Sequence, residues 1–99
     1  ALPKGFSTPE LNIKLHEGEQ HKLIAKLQET VYFPDAIEII KIDGLRVEYK
    51  EGFGLMRASN TTPVIVLRFE ADTEKKLKEI QAEFKSILEQ HISPEKIPF

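Results

Sequence analysis

The sequence predicts an α+β domain of two layers, in which an antiparallel sheet of four to five strands carries two helices on one face. The predicted element order is β-α-β-β-β-β-α. Two segments place apolar residues at helical spacing, and several shorter segments alternate apolar and polar residues as half-buried strands do. The pair Asp43-Gly44 separates two of these shorter segments, which is typical of a tight hairpin turn. Two packed layers would bury both helix stripes against one face of the sheet.

The composition indicates one globular domain with a modest core. The chain has 99 residues, of which 40% are hydrophobic and 30% are charged. A formal net charge of −2 argues against a protein that binds nucleic acid or an anionic membrane, because such proteins usually carry a basic surplus. The chain contains no cysteine, so thiolate metal sites and disulfides are excluded. With no signal-peptide pattern and no apolar stretch of membrane-spanning length, we expect a cytoplasmic protein.

The first third of the chain predicts a linker, a strand and a helix. Residues 1–9 carry two prolines and one glycine and are interpreted as a linker from a preceding domain, so that the domain itself covers residues 10–99. Residues 10–15 alternate as a strand, and Gly18 ends that pattern. Residues 19–30 predict a helix that ends before Pro34. Its apolar stripe comprises Leu23, Ile24, Leu27 and Val31.

A hairpin is predicted next, from residues 36–42 and 45–50 around the Asp43-Gly44 turn. A two-residue turn would pair Ile42 with Leu45 and place Ile39 on the face away from the core. The residues predicted to face the core in this register are Ile40, Ile42, Leu45 and Val47.

The last part of the chain predicts two more strands and a second helix. Residues 53–57 form the first strand, and residues 64–71 form a strongly β-prone second strand that begins after Pro63. Asp72 or Thr73 is expected to cap a helix that extends to about Gln90. Its apolar stripe comprises Leu77, Ile80, Phe84, Ile87 and Leu88. Residues 97–99 are apolar enough to pack back onto the core.

The loop between those two strands carries the candidate site. Arg57 is followed by Ala58 and then by four small polar residues: Ser59, Asn60, Thr61 and Thr62. A guanidinium group offers a planar fork of donors that matches two phosphate oxygens at once. Hydroxyl groups and the backbone N–H groups of a tight turn can complete an anion site. The same residue types are common in ordinary turns, so the residues alone leave both a plain turn and a phosphate loop open.

Four segments, in this order, resemble the C-terminal domain of the α-D-phosphohexomutases. They are residues 43–47 (DGLRV), 52–54 (GFG), 57–63 (RASNTTP) and 67–71 (LRFEA). Within that family the chain is most similar to the bacterial phosphomannomutase/phosphoglucomutase group. The Ser-Asn-Thr at the loop centre differs from the Ser-Gly-Thr of phosphoglucosamine mutases, and Phe53 stands where the family often has tryptophan. The resemblance implies a fold like that of the TATA-box-binding protein.

The resemblance implies a role in phosphoryl transfer between the 1- and 6-positions of mannose or glucose phosphate, through a 1,6-bisphosphate. In this family the first domain supplies a phosphoserine and the second holds Mg²⁺ in an aspartate-rich loop. The serine motif Thr-Ala-Ser-His-Asn-Pro and the metal motif Asp-Gly-Asp do not occur in this sequence. The resemblance therefore implies no catalytic residue and no metal or other cofactor in this chain, which is expected to be inactive without the other domains. It assigns the phosphate that is not reacting to Arg57, Ser59, Asn60, Thr61 and Thr62.

Two alternatives stay open. The chain could be the corresponding domain of a phosphoglucosamine mutase, or a module that binds a phosphorylated ligand or a protein without catalysis. A zinc site is not predicted, because His16 and His21 are five residues apart with Gly18 between them, which does not match helical metal-ligand spacing. Both histidines are predicted to be ordinary surface residues.

Overall fold

The computed structural model describes residues 5–29 and 33–99, and these form six strands and two α-helices. In chain order they are β1 (Phe6–Ser7), β2 (Leu11–Lys14), α1 (Glu19–Glu29), β3 (Glu38–Ile40), β4 (Leu45–Tyr49), β5 (Gly52–Ala58), β6 (Val64–Ala71) and α2 (Glu74–Leu88). A short 3-10 helix, Pro94–Lys96, follows α2. The predicted α+β class is confirmed, and the structure adds β1, which lies within the residues interpreted as a linker. Neither α-helix is long and apolar enough to cross a membrane.

All six strands belong to one antiparallel sheet. The order is β1-β6-β5-β4-β3, and β2 pairs with β6 alongside β1. The long strand β6 is central because its C-terminal end pairs with β1, its N-terminal end pairs with β2, and its other edge pairs with β5 from Ile65 to Ala71. Residues that share a pair also share a face, so Ile13 opposite Ile65 and Met56 opposite Leu67 all lie on the core side.

Both helices pack on the same face of this sheet, as the sequence predicts. The buried apolar residues of α1 are Leu23, Ile24 and Leu27, and those of α2 are Ile80, Phe84 and Leu88. They join one hydrophobic cluster with strand residues that include Ile13, Leu45, Val47, Met56, Ile65, Leu67 and Phe69. Thr30, where α1 was predicted to end, and Val31 of its predicted stripe lie outside the described residues.

Gly54 allows α2 to approach the sheet closely. A Cβ atom at this position would overlap the ring of Phe84, so a glycine is required where the ring lies against β5. The Phe84 ring centroid is 4.9 Å from that of Phe33 and 5.1 Å from that of Phe69. An aromatic ring from the helix thus fills the space that a strand side chain would otherwise occupy.

The ends of α2 are fixed by a cap and by the chain that follows the helix. Thr73 is the N-cap, and its hydroxyl oxygen accepts a hydrogen bond from the Lys76 N–H at 3.1 Å. This confirms one of the two caps that the sequence predicts. The C-terminal tail packs back onto the core, with Ile97 buried and the Phe99 ring 5.0 Å from that of Phe69.

The predicted register of the β3–β4 hairpin is wrong by one residue. Ile39 pairs with Val47 and Ile40 pairs with Arg46, so Ile39 packs against the core and Ile40 lies on the opposite face. Ile42, which was predicted to lie in the core, is 80% exposed. A slip of one residue has this result because successive side chains of a strand point to opposite faces.

The connection between these strands explains the slip. β3 ends at Ile40, so four residues, 41–44, join the strands instead of two. Asp43 and Gly44 both have positive φ angles, of 57° and 128°. A Cβ atom at Gly44 would also overlap the carbonyl oxygen of Met56, which makes glycine the residue that fits this turn.

Candidate functional site

The candidate loop joins the end of β5 to the start of β6. Arg57 pairs with Val66 and Ala58 pairs with Ile65, after which residues 59–63 form the turn. Met56 is fully buried in the core, so the next side chain along the strand, that of Arg57, points away from the core and is exposed. The sheet therefore presents the arginine at the end of a strand, directly before the polar turn.

The hydroxyl group of Ser59 organises the turn from within. Its Oγ accepts hydrogen bonds from the backbone N–H of Thr61 at 3.2 Å and of Thr62 at 3.3 Å. The Thr62 hydroxyl donates to the same oxygen at 3.2 Å, and the Ser59 N–H closes the turn by donating to the Val64 carbonyl at 3.0 Å. Two of the backbone N–H groups that were predicted to form an anion nest are thus directed at Ser59 Oγ. Asn60, Thr61 and Thr62 are exposed.

Gln20 of α1 holds the turn from beneath. Its Nε2 donates to the carbonyl oxygen of Ser59 at 3.2 Å and to that of Thr62 at 3.3 Å. Only the amide nitrogen can face two carbonyls, because carbonyls accept and do not donate. Gln20 is 6% exposed, and its buried Oε1 receives no hydrogen bond from the described residues. Such an unpaired buried acceptor costs about 1–3 kcal/mol, a cost that the two loop contacts help to offset.

Sequence reasoning missed Gln20, although a signal was present. Counting back from Leu23, Ile24 and Leu27 by three, four and seven residues reaches Gln20, which therefore lies on the apolar stripe of α1. A polar residue on a buried stripe needs a hydrogen-bond partner. The partner lies 39 to 42 residues away along the chain, which helical periodicity cannot reveal.

A cleft of about 620 Å³ lies beside the loop. Helix α1, the hairpin turn and the end of β5 form its walls. Its lining comprises His21, Ile24, Ala25, Gln28, Asp43, Gly44, Arg57, Ala58, Ser59, Asn60 and Val66. Of the five predicted site residues, the structure therefore brings Arg57, Ser59 and Asn60 to the cleft. Thr61 and Thr62 are in the same turn but are not among the described residues that line it.

A second glutamine of α1, Gln28, holds the opposite wall of the cleft. Its Nε2 donates to the carbonyl oxygens of Lys41 at 2.9 Å and of Gly44 at 2.6 Å. One helix thus binds the backbone of both walls, with Gln20 at the polar turn and Gln28 at the hairpin turn. The distance between the walls is set by the rigid helix that joins them.

The charges in the cleft favour an anion on the side of the polar turn. Among the described residues that line the cleft, Arg57 carries the permanent positive charge and Asp43 of the hairpin turn carries the carboxylate. His21, predicted to be an ordinary surface histidine, is exposed and lines the α1 wall. Within residues 5–29 and 33–99, no three His, Cys, Asp or Glu side chains are arranged to hold a metal ion.

A separate polar cluster lies beneath α2. The Tyr49 hydroxyl donates to Glu83 Oε1 at 3.1 Å. Burial raises the pKa of Tyr49, and the charge of Glu83 raises it further, so the phenol stays protonated and acts as a donor. Burial also raises the pKa of Glu83, and Asp35 adds to this, while the Tyr49 hydrogen bond and the charge of Lys76 oppose it. None of these four residues lines the cleft.

Comparisons with known proteins agree with this architecture. Residues 10–87 match the model of the phosphoglucomutase/phosphomannomutase C-terminal domain. The chain is 58% identical over 89 residues to a phosphoglucomutase of Neisseria meningitidis serogroup B, covering 89% of this chain and 19% of that protein. It is 46% identical over 99 residues to a phosphomannomutase/phosphoglucomutase of Pseudomonas aeruginosa, covering 100% of this chain and 21% of that protein.

A solved structure gives the same result. The crystal structure of a phosphoglucomutase/phosphomannomutase family protein from Burkholderia thailandensis matches with a TM-score of 0.79 and 50% sequence identity. The match covers 90% of this chain and 18% of that one. The chain thus spans about a fifth of the length of the proteins it resembles.

Proposed function

We propose a function for this chain from the premise that it belongs to the phosphoglucomutase/phosphomannomutase family, whose C-terminal domain it matches. The chain binds the phosphate group that is not reacting when a glucose or mannose phosphate is converted between its 1- and 6-phosphate forms, by way of the 1,6-bisphosphate. The observation that carries the proposal is the exposed Arg57 at the mouth of a cleft that Ser59 and Asn60 also line.

The chemistry of the turn suits a phosphate dianion. The guanidinium of Arg57 can donate two parallel hydrogen bonds to two phosphate oxygens. The hydroxyl and amide groups of the turn supply further neutral donors. The N–H groups of Thr61 and Thr62 are directed at Ser59 Oγ over 3.2 and 3.3 Å, so a phosphate oxygen would compete with a weak acceptor for them.

A grip on a remote phosphate contributes to catalysis without touching the reacting atoms. Binding energy gained at one end of the substrate can orient the hydroxyl at the other end and hold it in position. In the proposal this chain supplies that grip and moves over the active site with its substrate, which excludes water from the closed cleft. The other domains of the same enzyme are therefore its partners, and a cytoplasmic location stays a prediction.

The phosphoserine and the Mg²⁺ site are assigned to other domains of the enzyme. The described residues offer no set of metal ligands, and the sequence lacks the serine motif. No step of the reaction is therefore attributed to a metal in this chain. We expect the isolated chain to show no mutase turnover, and turnover in a pure sample that is lost on mutating this chain would contradict these roles.

The two alternatives can be separated by assays. The Ser59-Asn60-Thr61 sequence at the loop centre is more similar to the phosphomannomutase/phosphoglucomutase group than to the phosphoglucosamine mutases, which have Ser-Gly-Thr there. Rates of the full-length enzyme on glucose, mannose and glucosamine phosphates test that assignment. A non-catalytic module would bind a sugar phosphate at this loop while its full-length protein turned over none of the three.

Arg57 provides the direct test. In the full-length enzyme, Arg57→Ala should lower kcat/KM for glucose 1-phosphate by about one to two powers of ten, because a hydrogen bond to a charged group contributes roughly 1.5–3 kcal/mol. Arg57→Lys should recover only part of the loss, since an ammonium keeps the charge and loses the planar fork. Steady-state kinetics of the three enzymes measure the effect. The fold should survive, because the arginine is exposed.

Arg68→Ala is the matched control. Arg68 is also exposed and on the adjacent strand, but it does not line the cleft. Loss of this screened charge should leave kcat/KM within about twofold of the wild-type value. An unchanged kcat/KM in folded Arg57→Ala would end the phosphate-clamp proposal, and residues 59–62 would revert to a plain turn.

The isolated chain offers a second test of the same site. We expect glucose 1-phosphate to bind with a Kd on the order of millimolar, because one open phosphate site must offset the entropy of association. Amide NMR shifts on titration should concentrate at residues 57–62. Shifts centred on the lysine-rich exposed face of α2 would instead indicate general charge attraction.

A further inference from the structure

We infer that Gln20 is a positioning residue for the phosphate-binding turn. Its amide group fixes the two ends of the turn relative to α1 and so sets the arrangement of donors that the turn presents. The inference rests on the proposed function, because it assigns Gln20 a part in the same phosphate site. Gln20 itself does not line the cleft and touches no substrate in this proposal.

The position of Gln20 suits this role. It is the second residue of α1 and is 6% exposed. Its Nε2 is 3.2 Å from the Ser59 carbonyl oxygen at the start of the turn and 3.3 Å from the Thr62 carbonyl oxygen near its end. A single side-chain nitrogen thus spans the turn, and because it is anchored in a packed helix, it ties the turn to the core.

The other hydrogen bonds that the described residues make around the turn do not connect it to a helix. The backbone closes the turn through the Ser59 N–H to the Val64 carbonyl at 3.0 Å, and through the Val64 N–H to the Thr62 carbonyl at 2.8 Å. Both of these bonds lie within the strand-turn-strand segment itself. The neighbouring Pro63 carbonyl accepts from the Leu15 N–H at 2.8 Å, which ties the far end of the segment to the chain after β2. Gln20 supplies the contact from a helix.

The chemistry of glutamine fits the two acceptors. Its amide nitrogen carries two protons, one for each carbonyl, and the group is uncharged. Asparagine is shorter by one methylene, whereas lysine and arginine would place a charge in a buried position. A substitution that removes the donor would leave the Ser59 carbonyl without this partner and the Thr62 carbonyl with the Val64 N–H, so the turn would lose its side-chain contact with α1.

The two sides of the turn have separate tasks. The carbonyl oxygens of Ser59 and Thr62 point inward to Gln20, while the N–H groups of Thr61 and Thr62 gather around Ser59 Oγ. Fixing the carbonyl side therefore fixes the donor side through the same short stretch of backbone. A site that is ordered before the phosphate arrives loses less entropy on binding, so preorganisation by Gln20 raises phosphate affinity.

Gln20→Met tests the inference in the 99-residue chain. Methionine keeps the length, the unbranched shape and the helix propensity of glutamine and removes the donor. We expect the Kd for glucose 1-phosphate, measured by amide NMR titration, to rise about tenfold. Without ligand, hydrogen exchange at the Ser59 and Val64 amides should quicken by about the same factor. Unchanged amide shifts in β4 would confirm that the fold is intact.

Thr73→Ala is the control for a purely structural loss. It removes a side-chain hydrogen bond to the backbone at the start of α2, away from the cleft. Its Kd and its loop exchange rates should match those of the wild-type chain. If Gln20→Met binds as the wild-type chain does, the inference is overturned and the proposed function stands. If the wild-type chain shows no ligand-dependent shifts at residues 57–62, the phosphate function fails, and the role of Gln20 fails with it.

Discussion

The two helices cover the same face of the sheet but create different surroundings. Beneath α2 the contacts are aromatic, with the Phe84 ring 4.9 Å from Phe33 and 5.1 Å from Phe69. Helix α1 packs with aliphatic side chains, and its two glutamines, Gln20 and Gln28, bind the backbone of two turns. The half of the molecule under α2 is packed with aromatic rings, and the half beside α1 contains the cleft of about 620 Å³.

In our proposal, this difference separates the residues that stabilise the fold from those that bind phosphate. Burial of large apolar side chains under α2 supplies much of the driving force for folding. The turns beside α1 are polar and exposed, and hydrogen bonds from a packed helix hold them in place. β5 joins the two halves, since Gly54 receives the Phe84 ring and Arg57, three residues later, lies at the cleft. The proposed binding residues thus lie at the end of a strand whose middle is fixed in the core.

The largest expected effect is the loss of stability in Phe84→Ala. Deleting a fully buried ring should lower the free energy of unfolding by about 3–5 kcal/mol, through lost burial and a residual cavity. Equilibrium urea unfolding measures this change. Under conditions in which the variant stays folded, the Kd for glucose 1-phosphate should equal that of the wild-type chain, because Phe84 does not line the cleft.

Phe6→Ala is the matched control for this deletion. The Phe6 side chain of β1 is 44% exposed, so the same chemical change should cost less than about 1 kcal/mol. Equal costs for the two deletions would show that the ring cluster beneath α2 is not the centre of stability. A changed Kd in folded Phe84→Ala would show that the two halves are coupled.

An effect of intermediate size is expected for Ser59→Ala, which tests the cleft side of the molecule. Removal of the Oγ takes away the acceptor for the Thr61 and Thr62 N–H groups. In the proposed site it also removes one donor to the phosphate. The Kd for glucose 1-phosphate should rise about three- to tenfold, which is the size expected for one or two modest hydrogen bonds. The free energy of unfolding should fall by less than about 1 kcal/mol. NMR titration and urea unfolding measure the two quantities.

Ser86→Ala provides the reference for Ser59→Ala. Ser86 is an exposed serine on α2, outside the cleft. Its replacement should leave the Kd unchanged. A Kd for Ser59→Ala that matched the Ser86→Ala value would remove the Ser59 hydroxyl from the proposed site.

The elements with a clear period could be predicted from the sequence, and those without one could not. The described residues of the predicted α1 and α2 stripes pack in or against the core, and β6 forms over the residues predicted for it. The register of β3 could not be fixed, because Ile39 and Ile40 are adjacent and either one can face the core. The Asp43-Gly44 signal favoured a two-residue turn, whereas the chain uses four residues. β1, with two residues, is too short to show any period.

The residues of the candidate loop could be predicted from the sequence, but the residues that the tertiary fold brings to the same cleft could not. The residue types of the turn, together with the family resemblance, indicated Arg57 to Thr62. His21 and Asp43, which form the facing walls of the cleft, are brought there by the packing of α1 and by the hairpin turn. No local pattern encodes that proximity. The sequence does show Gln20 as a polar residue on an apolar stripe, but the carbonyl groups that accept its hydrogen bonds are brought to it by the tertiary fold.

The smallest expected effect concerns Glu83, in the polar cluster beneath α2. Burial raises its pKa above the ordinary value of 4.5, with further contributions from the hydrogen bond and charge of Asp35. The folded state therefore binds this proton more tightly than the unfolded chain does. The resulting stabilisation is fully present below the unfolded pKa and is lost as the pH rises through the higher folded pKa.

Glu83→Gln removes this titration while its amide oxygen can still accept from the Tyr49 hydroxyl. Relative to the wild-type chain, the variant should gain stability as the pH rises above about 4.5, by less than about 1 kcal/mol because the site is partly open to solvent. Urea unfolding below and above this pH measures the difference. Glu79→Gln, which removes an exposed carboxylate 3.8 Å from the Lys76 ammonium, should show no such gain. A difference for Glu83→Gln that is constant, or that grows as the pH falls, would contradict the prediction. Because this cluster lies outside the cleft, the Kd for glucose 1-phosphate should stay unchanged in both variants.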